Sequence, residues 1–374
     1  MNHQHNSQQP QDQQVMWLAF SPRDALHFRD GRSFEAGESA RTLHPRPSTI
    51  AGAVGTALGR EAGTVRGPLP ASRRKGGKDW RTYFPLPADI VPVEKNPDRW
   101  TRLRPTPSSA TTDLHEPGML WLSAPRAGAP ATDRWWSARK LQDYLNGTVV
   151  LGEKAGVEHS PFVVEHRTGI ARDDRAVLDT HLYSSEFLRL PESSGREWAV
   201  LAQCVLTTGQ RTAPAEAVRW GGEGRMADVE VVSSPIEWPR PPDTFPDGRV
   251  LVYLATPGIW RTRTPEGRWR TVWRPPLPAN AVLRAAVIPG AEPVASASPQ
   301  PDGTVREVWQ RWAVPAGSVY LIEFGGDAPE AAAAEWAARV HGTALGAEST
   351  EPGSASHRLA TAGFGLILTG RWND

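Results

Sequence analysis

VYLIEFGGDAPEAAAAEWAARVHG, residues 319–342, changes structural period partway along. Val319 to Phe324 is a short apolar run with β-branched and aromatic members, the pattern of a buried strand. Gly325-Gly326 ends it; Asp327 stands where a helix cap is needed, and Pro329 fits the first turn. Ala331 to Val340 propagates the helix and Gly342 ends it. A strand feeding straight into a helix is half of a split βαβ unit.

The same logic extends outward. Val250 to Ala255 reads as a strand, followed by a Trp- and Arg-rich hairpin to Arg274, a strand Val282 to Ile288 and a closing strand Gly365 to Leu368. In the first half, Val15 to Phe20 reads as an opening strand that breaks at Pro22, and residues 26–38 as an exposed loop. Pro47-Ser48-Thr49 opens a helix capped by Ser48, with Ile50, Val54 and Leu58 along one face. Residues 61–78 read as a basic Gly/Pro-rich loop, and Tyr83 to Val93 as extended pieces broken by prolines. Residues 95–132 read as a mostly irregular insertion that a partner orders, and Trp135 to Leu145 as a helix stopped by Asn146-Gly147. Glu165 to Asp174 and Leu182 to Leu190 pair as extended segments, and WAVLAQCVL, 198–206, is a buried strand.

The expectation is an α+β chain of two tandem ferredoxin-like (RRM-like, βαββαβ) domains with glycine-rich loops. They span 15–237, with the insertion at about 95–132, and 249–374; WPRPPDTFPDG, 238–248, links them, and the polar residues 1–14 form a disordered tail.

Composition limits the function. Formal charge is +1, with 42 basic against 41 acidic residues, so any nucleic-acid site must be a local patch. Lysine occurs only at Lys75, Lys78, Lys95, Lys140 and Lys154; the other basic residues are arginines, which grip phosphate bidentately and stack on bases. The single cysteine, Cys204, allows neither an internal disulfide nor a cysteine zinc cluster, which fits a reducing cytoplasm. No stretch approaches the ~18 apolar residues of a membrane span.

Most catalytic signatures are absent. There is no HExxH, GxSxG or Walker loop, and no metal or other cofactor is expected. GGEGRMA, 221–227, satisfies a dinucleotide fingerprint in spacing only, because an alternating strand follows where a helix is needed. Two readings of GGEGR stand: an ordinary hairpin turn, or backbone made bare for close approach to RNA beside the Arg225 guanidinium. Gly325-Gly326-Asp327 has the start of a cyclase palm motif, but position 328 is Ala and two-metal chemistry lacks its second carboxylate. TAGFG, 361–365, sets a glycine loop before the last strand; Phe364 reads as core, and Gly363 and Gly365 as RNA-facing. His27, His44, His166 and His181 are the candidate general bases for ribose 2′-OH attack.

Five blocks in order carry a resemblance: FRDGRSF (28–34), HPRPSTIAGAVGTALG (44–59), EHRTGIARDDRAVLDTHLYSSEFLRL (165–190), GGEGRMADVEV (221–231) and AGFGLILTGRW (362–372). Together they resemble the third subunit of the Cmr complex of type III-B CRISPR systems, a RAMP-superfamily family. The resemblance implies two fused ferredoxin-like domains without nuclease activity and capture of the crRNA 5′ handle. It also implies docking on the large polymerase-like subunit, with backbone RAMP subunits beyond and target RNA nearby. By similarity, RNA contact is carried onto Phe28, Arg29, Arg32, Ser48, Thr49, Arg167, Arg172, Gly222, Arg225, Gly363 and Gly365. Chemistry adds that Ser48 and Thr49 open a helix whose free amides suit a phosphate, and that Arg167 and Arg172 flank a glycine turn. The rival readings are a metal-independent CRISPR RNA-processing endoribonuclease and the handle-capping subunit of another type III subtype.

Overall fold

The computed structural model describes residues 14–372 except 30–38, 108–113, 115–117, 154, 174–175, 193–194, 207–212, 300–305, 348–349 and 352. The chain is mixed α+β and mostly strand. No helix among the described residues is long and apolar enough to cross a membrane.

The largest sheet has eight strands, every neighbouring pair antiparallel. Its middle runs Thr64–Arg74, Arg196–Val205, Val15–Pro22, Met226–Val231. Numbered along the chain, these four strands lie in the order 2-3-1-4, with the helix Pro47–Leu58 between the first and second. The second half repeats the order. Arg249–Leu254, Ala281–Val287, Val319–Phe324 and Ile367–Arg371 form an antiparallel sheet in which strands 2, 3, 1 and 4 are neighbours. The helix Pro329–Val340 lies between its third and fourth strands, and the Trp-Arg hairpin Trp260–Arg263/Trp269–Val272 stands between the first and second.

The two sheets share side chains. One core cluster joins Ala19, Leu69, Phe84 and Leu201 to Leu251, Tyr253, Leu321 and Leu368, the leucines and Phe84 each contributing about 1.5–3 kcal/mol through burial. The Tyr253 hydroxyl donates to the Pro85 carbonyl at 2.6 Å. The helix Ala138–Leu145 comes so close to the last strand that a Cβ on Gly370 would stand 2.8 Å from the Leu145 Cα. Between the halves, residues 238–245 carry no regular structure, yet Trp238 packs against Trp17 and Phe84, and the Pro239 carbonyl meets His341 Nε2 at 2.8 Å.

Several expectations need correction. Residues 61–78 are not a loop: Thr64–Arg74 is an eleven-residue strand that buries Val65, Leu69 and Ala71. Its glycine and prolines hid the alternation, and the register shift between Leu201 and Gln203 accommodates them opposite Gly67-Pro68. Trp135 and Trp136 belong to the strand Arg134–Ser137, and the helix begins at Ala138. Ser48 does not cap its helix. Arg46 occupies the cap, Pro47 the first turn, and the Thr49 hydroxyl accepts from the Arg46 amide at 3.1 Å, while the Ser48 hydroxyl is buried without a partner. Asp327 is exposed and also caps nothing, since Ala328 is the N-cap and Pro329 removes one N–H that would need satisfying.

The insertion is better ordered than its prolines suggested. Asn96–Arg102 pairs with Ile90–Val93, Arg104–Thr106 pairs with Trp121–Ser123, and the Leu120 amide donates to the Arg284 carbonyl at 2.6 Å. At its base, buried Asp89 accepts from Arg102 Nε and from the Tyr144 hydroxyl, both at 2.8 Å.

Candidate nucleic-acid interface

At the Pro22 end of the opening strand two turns meet. The Arg23 amide donates to the Met226 carbonyl at 3.1 Å, and the Gly222 amide to the His27 carbonyl at 2.8 Å. Gly221 has φ +96°, and a Cβ there would stand 2.9 Å from the same carbonyl, so this turn requires glycine for close approach within the chain. The long hairpin Val163–Asp173/Ala176–Arg189 lies against the turns, with Leu26 and Leu188 exchanging backbone hydrogen bonds of 2.7 and 2.8 Å.

Strand alternation then assembles a charged cluster. Glu165 pairs with Phe187 and Val163 with Arg189, so Glu165, Arg167, Phe187 and Arg189 share one face of the hairpin. Asp24, from the first turn, accepts from Arg225 Nη1 at 2.7 Å, from Arg167 at 3.1 Å and from Arg189 at 3.3 Å. Glu165 bonds Arg167 Nε and lies 3.2 Å from Arg189. The guanidinium carbons of Arg167 and Arg225 each sit 4.6 Å from the centroid of the buried Phe187 ring. The Arg167 guanidinium and the Ala25 amide hold the Asp24 carboxyl down at about 2, so it is ionised throughout the neutral range. Three guanidiniums are thus fixed side by side but largely neutralised, with Glu223 3.7 Å from Arg225 as a further acid. A phosphate enters this cluster only by taking or sharing donors that carboxylates now hold.

The candidate RNA residues fall into three places. Arg167, Gly222 and Arg225 come together here. Phe28 is close by but 7% exposed, packed edge-on against Trp220 with centroids 5.6 Å apart. Arg29 is exposed, its backbone bridging Thr42. Ser48 and Thr49 lie elsewhere, at a helix start tucked under the second half, where the Arg46 guanidinium donates to the Pro293 and Ala295 carbonyls. Gly363 and Gly365 lie at a third place, near the opposite end of the central strands: a Cβ on Gly363 would stand 2.6 Å from the Val65 carbonyl oxygen. Phe364 between them is core, as expected, at 4% exposure. Arg32 lies outside the described residues, and for Arg172 only the backbone pairing with Val177 is described. No glycine turn separates Arg167 from Arg172, because Gly169 pairs with Tyr183 inside the strand.

Asp24, Glu165, Phe187 and Arg189 were missed, and the period-two spacing of E-x-R at 165–167 and F-x-R at 187–189 was the signal for three of them. Among the candidate bases, His27 is 1% exposed and its Nδ1 meets the Glu186 carbonyl at 2.9 Å. The His44 ring packs on Trp135 and Phe162, His166 is exposed on the hairpin, and the side chain of His181 lies outside the described residues. Among the described residues no three His, Cys, Asp or Glu side chains are grouped to hold a metal ion.

Comparison with solved structures finds the cryo-EM structure of the Type III-B Cmr-beta bound to cognate target RNA and AMPPnP, state 1. One chain of it is similar over 82% of this chain and 86% of its own, at 15% identity and a TM-score of 0.41. The structure of Type III-B Cmr-beta bound to cognate target RNA gives the same values. No curated protein matches the sequence. Residues 18–372, however, match a family model described as CRISPR-associated protein (Cas_Cmr3), a span holding all but the first three residues of the opening strand, the rest of the eight-stranded sheet, the four-stranded sheet and the arginine cluster on Asp24. The chain therefore belongs to the Cas_Cmr3 family of CRISPR-associated proteins.

Proposed function

We propose that the chain is a non-catalytic crRNA-binding subunit of a type III-B (Cmr) RNA-guided complex. In this reading it caps the 5′ handle and docks on the large polymerase-like subunit, with backbone subunits stacked beyond. The observation that carries the reading is the arrangement at Asp24: in a CRISPR-associated family, Arg167, Arg189 and Arg225 converge beside the Gly221-Gly222 turn. Guanidiniums held in place in advance lose little freedom when a phosphate replaces or shares their carboxylate. We also read the two halves, 15–237 and 249–374 joined by 238–248, as tandem ferredoxin-like domains. The antiparallel order 2-3-1-4 in both sheets supports this, with Pro47–Leu58 standing between strands 1 and 2 of the first half and Pro329–Val340 between strands 3 and 4 of the second, the two helix positions of a βαββαβ fold.

The buried, carbonyl-bonded His27 disfavours the endoribonuclease reading, since a general base must reach the 2′-hydroxyl. The test is binding of RNA with a handle at its 5′ end, compared with a scrambled 5′ end, by the wild type and by Arg167→Ala/Arg225→Ala. The double variant should weaken handle binding and flatten its salt dependence together. Unchanged affinity and slope would refute the assignment, and a discrete cut of repeat RNA in chelator would refute the non-catalytic role.

A further inference from the structure

The Trp-Arg hairpin of the second half takes no part in the cluster on Asp24. It forms one wall of a cleft of about 1490 Å³, whose other wall includes Ser354 and Leu359 and whose lining includes Trp260 and Phe364. That volume exceeds the ~300–1,000 Å³ usual for small-molecule sites and suits a length of polymer. The hairpin's register sets its chemistry. Arg263 stands opposite Trp269 and Arg261 opposite Thr271, so both arginines share a face with Trp269, their guanidinium carbons 5.0 and 4.8 Å from its ring centroid. Trp269 is 50% exposed, a large aromatic left in water where most tryptophans of this size are covered. The opposite face carries Arg270 beside Trp260, whose indole N–H donates to the Leu345 carbonyl at 3.3 Å, making a firm floor.

The charge balance here is the reverse of that at Asp24. Arg167, Arg189 and Arg225 each have a carboxylate within 3.3 Å. Among the described residues no carboxylate pairs with Arg261, Arg263, Arg268 or Arg270, although all four lie on or next to this hairpin. The nearby acids are Glu266 at the hairpin tip and Glu351 in the cleft lining. In a chain of net charge +1, uncompensated positive charge is concentrated on one aromatic ribbon. Guanidiniums that take phosphates, together with a ring that takes the face of any base, are the two elements of sequence-tolerant single-strand binding.

We propose that this cleft is a second RNA-binding surface, one that holds a single strand by its phosphates on Arg261 and Arg263 and stacks a base on the Trp269 that shares their face. It goes beyond handle capping and does not depend on it. A protein surface is the competing occupant, but a protein partner would need a matching acidic patch, whereas RNA supplies a negative charge at every nucleotide.

The test uses the full chain and fluorescein-labelled 15-nucleotide oligo-U and oligo-A RNAs, with anisotropy titrations from low to moderate salt. Arg261→Ala/Arg263→Ala should flatten the plot of log affinity against log salt by about 1.4, two single-strand phosphates at ~0.7 each. Trp269→Ala should weaken binding of both RNAs about tenfold, the loss of one stacked base, while Trp269→Phe keeps most of it. The hairpin variants should keep the wild-type preference for handle-bearing over scrambled 5′ ends, so failure here and failure of handle capping are separable. Thermal melts check that the exposed substitutions leave the fold intact. Wild-type affinity and slope in all hairpin variants would overturn the proposal, and so would unaltered RNA binding combined with lost subunit assembly, which would give the cleft to a protein.

Discussion

Arg167 and Arg225 approach the Phe187 ring at the same 4.6 Å and bond the same carboxylate, Asp24, although one comes from the long hairpin and the other from the glycine turn. The Phe187 ring and the Asp24 carboxylate therefore fix the spacing of two elements that share no strand pairing.

Asp24→Asn should release the guanidiniums without unfolding the chain. Its ion pairs are 44% exposed on the aspartate side, and pairs of this kind contribute about 0–1 kcal/mol. The expected outcome is tighter, less selective RNA binding with a steeper salt dependence, read by anisotropy against handle-bearing and scrambled RNAs. Weaker binding with a flatter slope would show that Asp24 acts through positioning alone.

Gly363→Ala should cost far more than Gly224→Ala. Both have positive φ, +100° and +68°, but a Cβ at 363 meets the Val65 carbonyl oxygen at 2.6 Å, while at 224 nothing lies within 4 Å. The second change should cost about 1–2 kcal/mol of left-handed strain. The first adds a backbone clash, and urea midpoints should separate the two clearly.

Asp89→Ala should destabilise by about 3–5 kcal/mol, because it leaves the Arg102 guanidinium and the Tyr144 hydroxyl buried without their acceptor. Asp89→Asn should recover part of the loss. Equal urea midpoints for wild type and Asp89→Ala would contradict the buried pairing.

Acid should weaken the contact between the last strand and the 238–248 segment through His341. Burial lowers the pKa of this imidazole; its Nδ1 accepts from the Thr369 amide at 3.0 Å and its Nε2 donates to the Pro239 carbonyl. The neutral form is the one that fits. With the folded pKa below the unfolded value of about 6.5, the unfolded chain binds the extra proton, so stability is complete above that value and falls as pH drops below it. Melting temperature should decline from pH 7 to pH 5, and His341→Gln should shrink that decline.

How far the sequence led depended on the kind of signal. The helix at Pro329 was legible because strand, glycines, proline and alanine run follow one another without interruption. The strand Thr64–Arg74 was not, because Gly67, Pro68 and Pro70 imitate a loop and only the register shift in its neighbour accommodates them. Residue preference points to Ser48 as the cap, whereas Arg46 occupies it, its guanidinium donating to the Pro293 carbonyl. At the site, Arg167, Gly222 and Arg225 were legible and do converge. Gly363 and Gly365 come in by the same resemblance but lie at the other end of the central strands, where glycine at 363 also makes room for the Val65 carbonyl.

The core filled jointly by Leu69, Phe84, Leu251, Tyr253 and Leu368 has a consequence for whatever strand runs across the molecule. Neither half can swivel against the other without wetting those side chains, so the interval between a grip on the first half and a grip on the second is set by packing. The two halves are thereby locked into one body whose relative orientation the shared core sets.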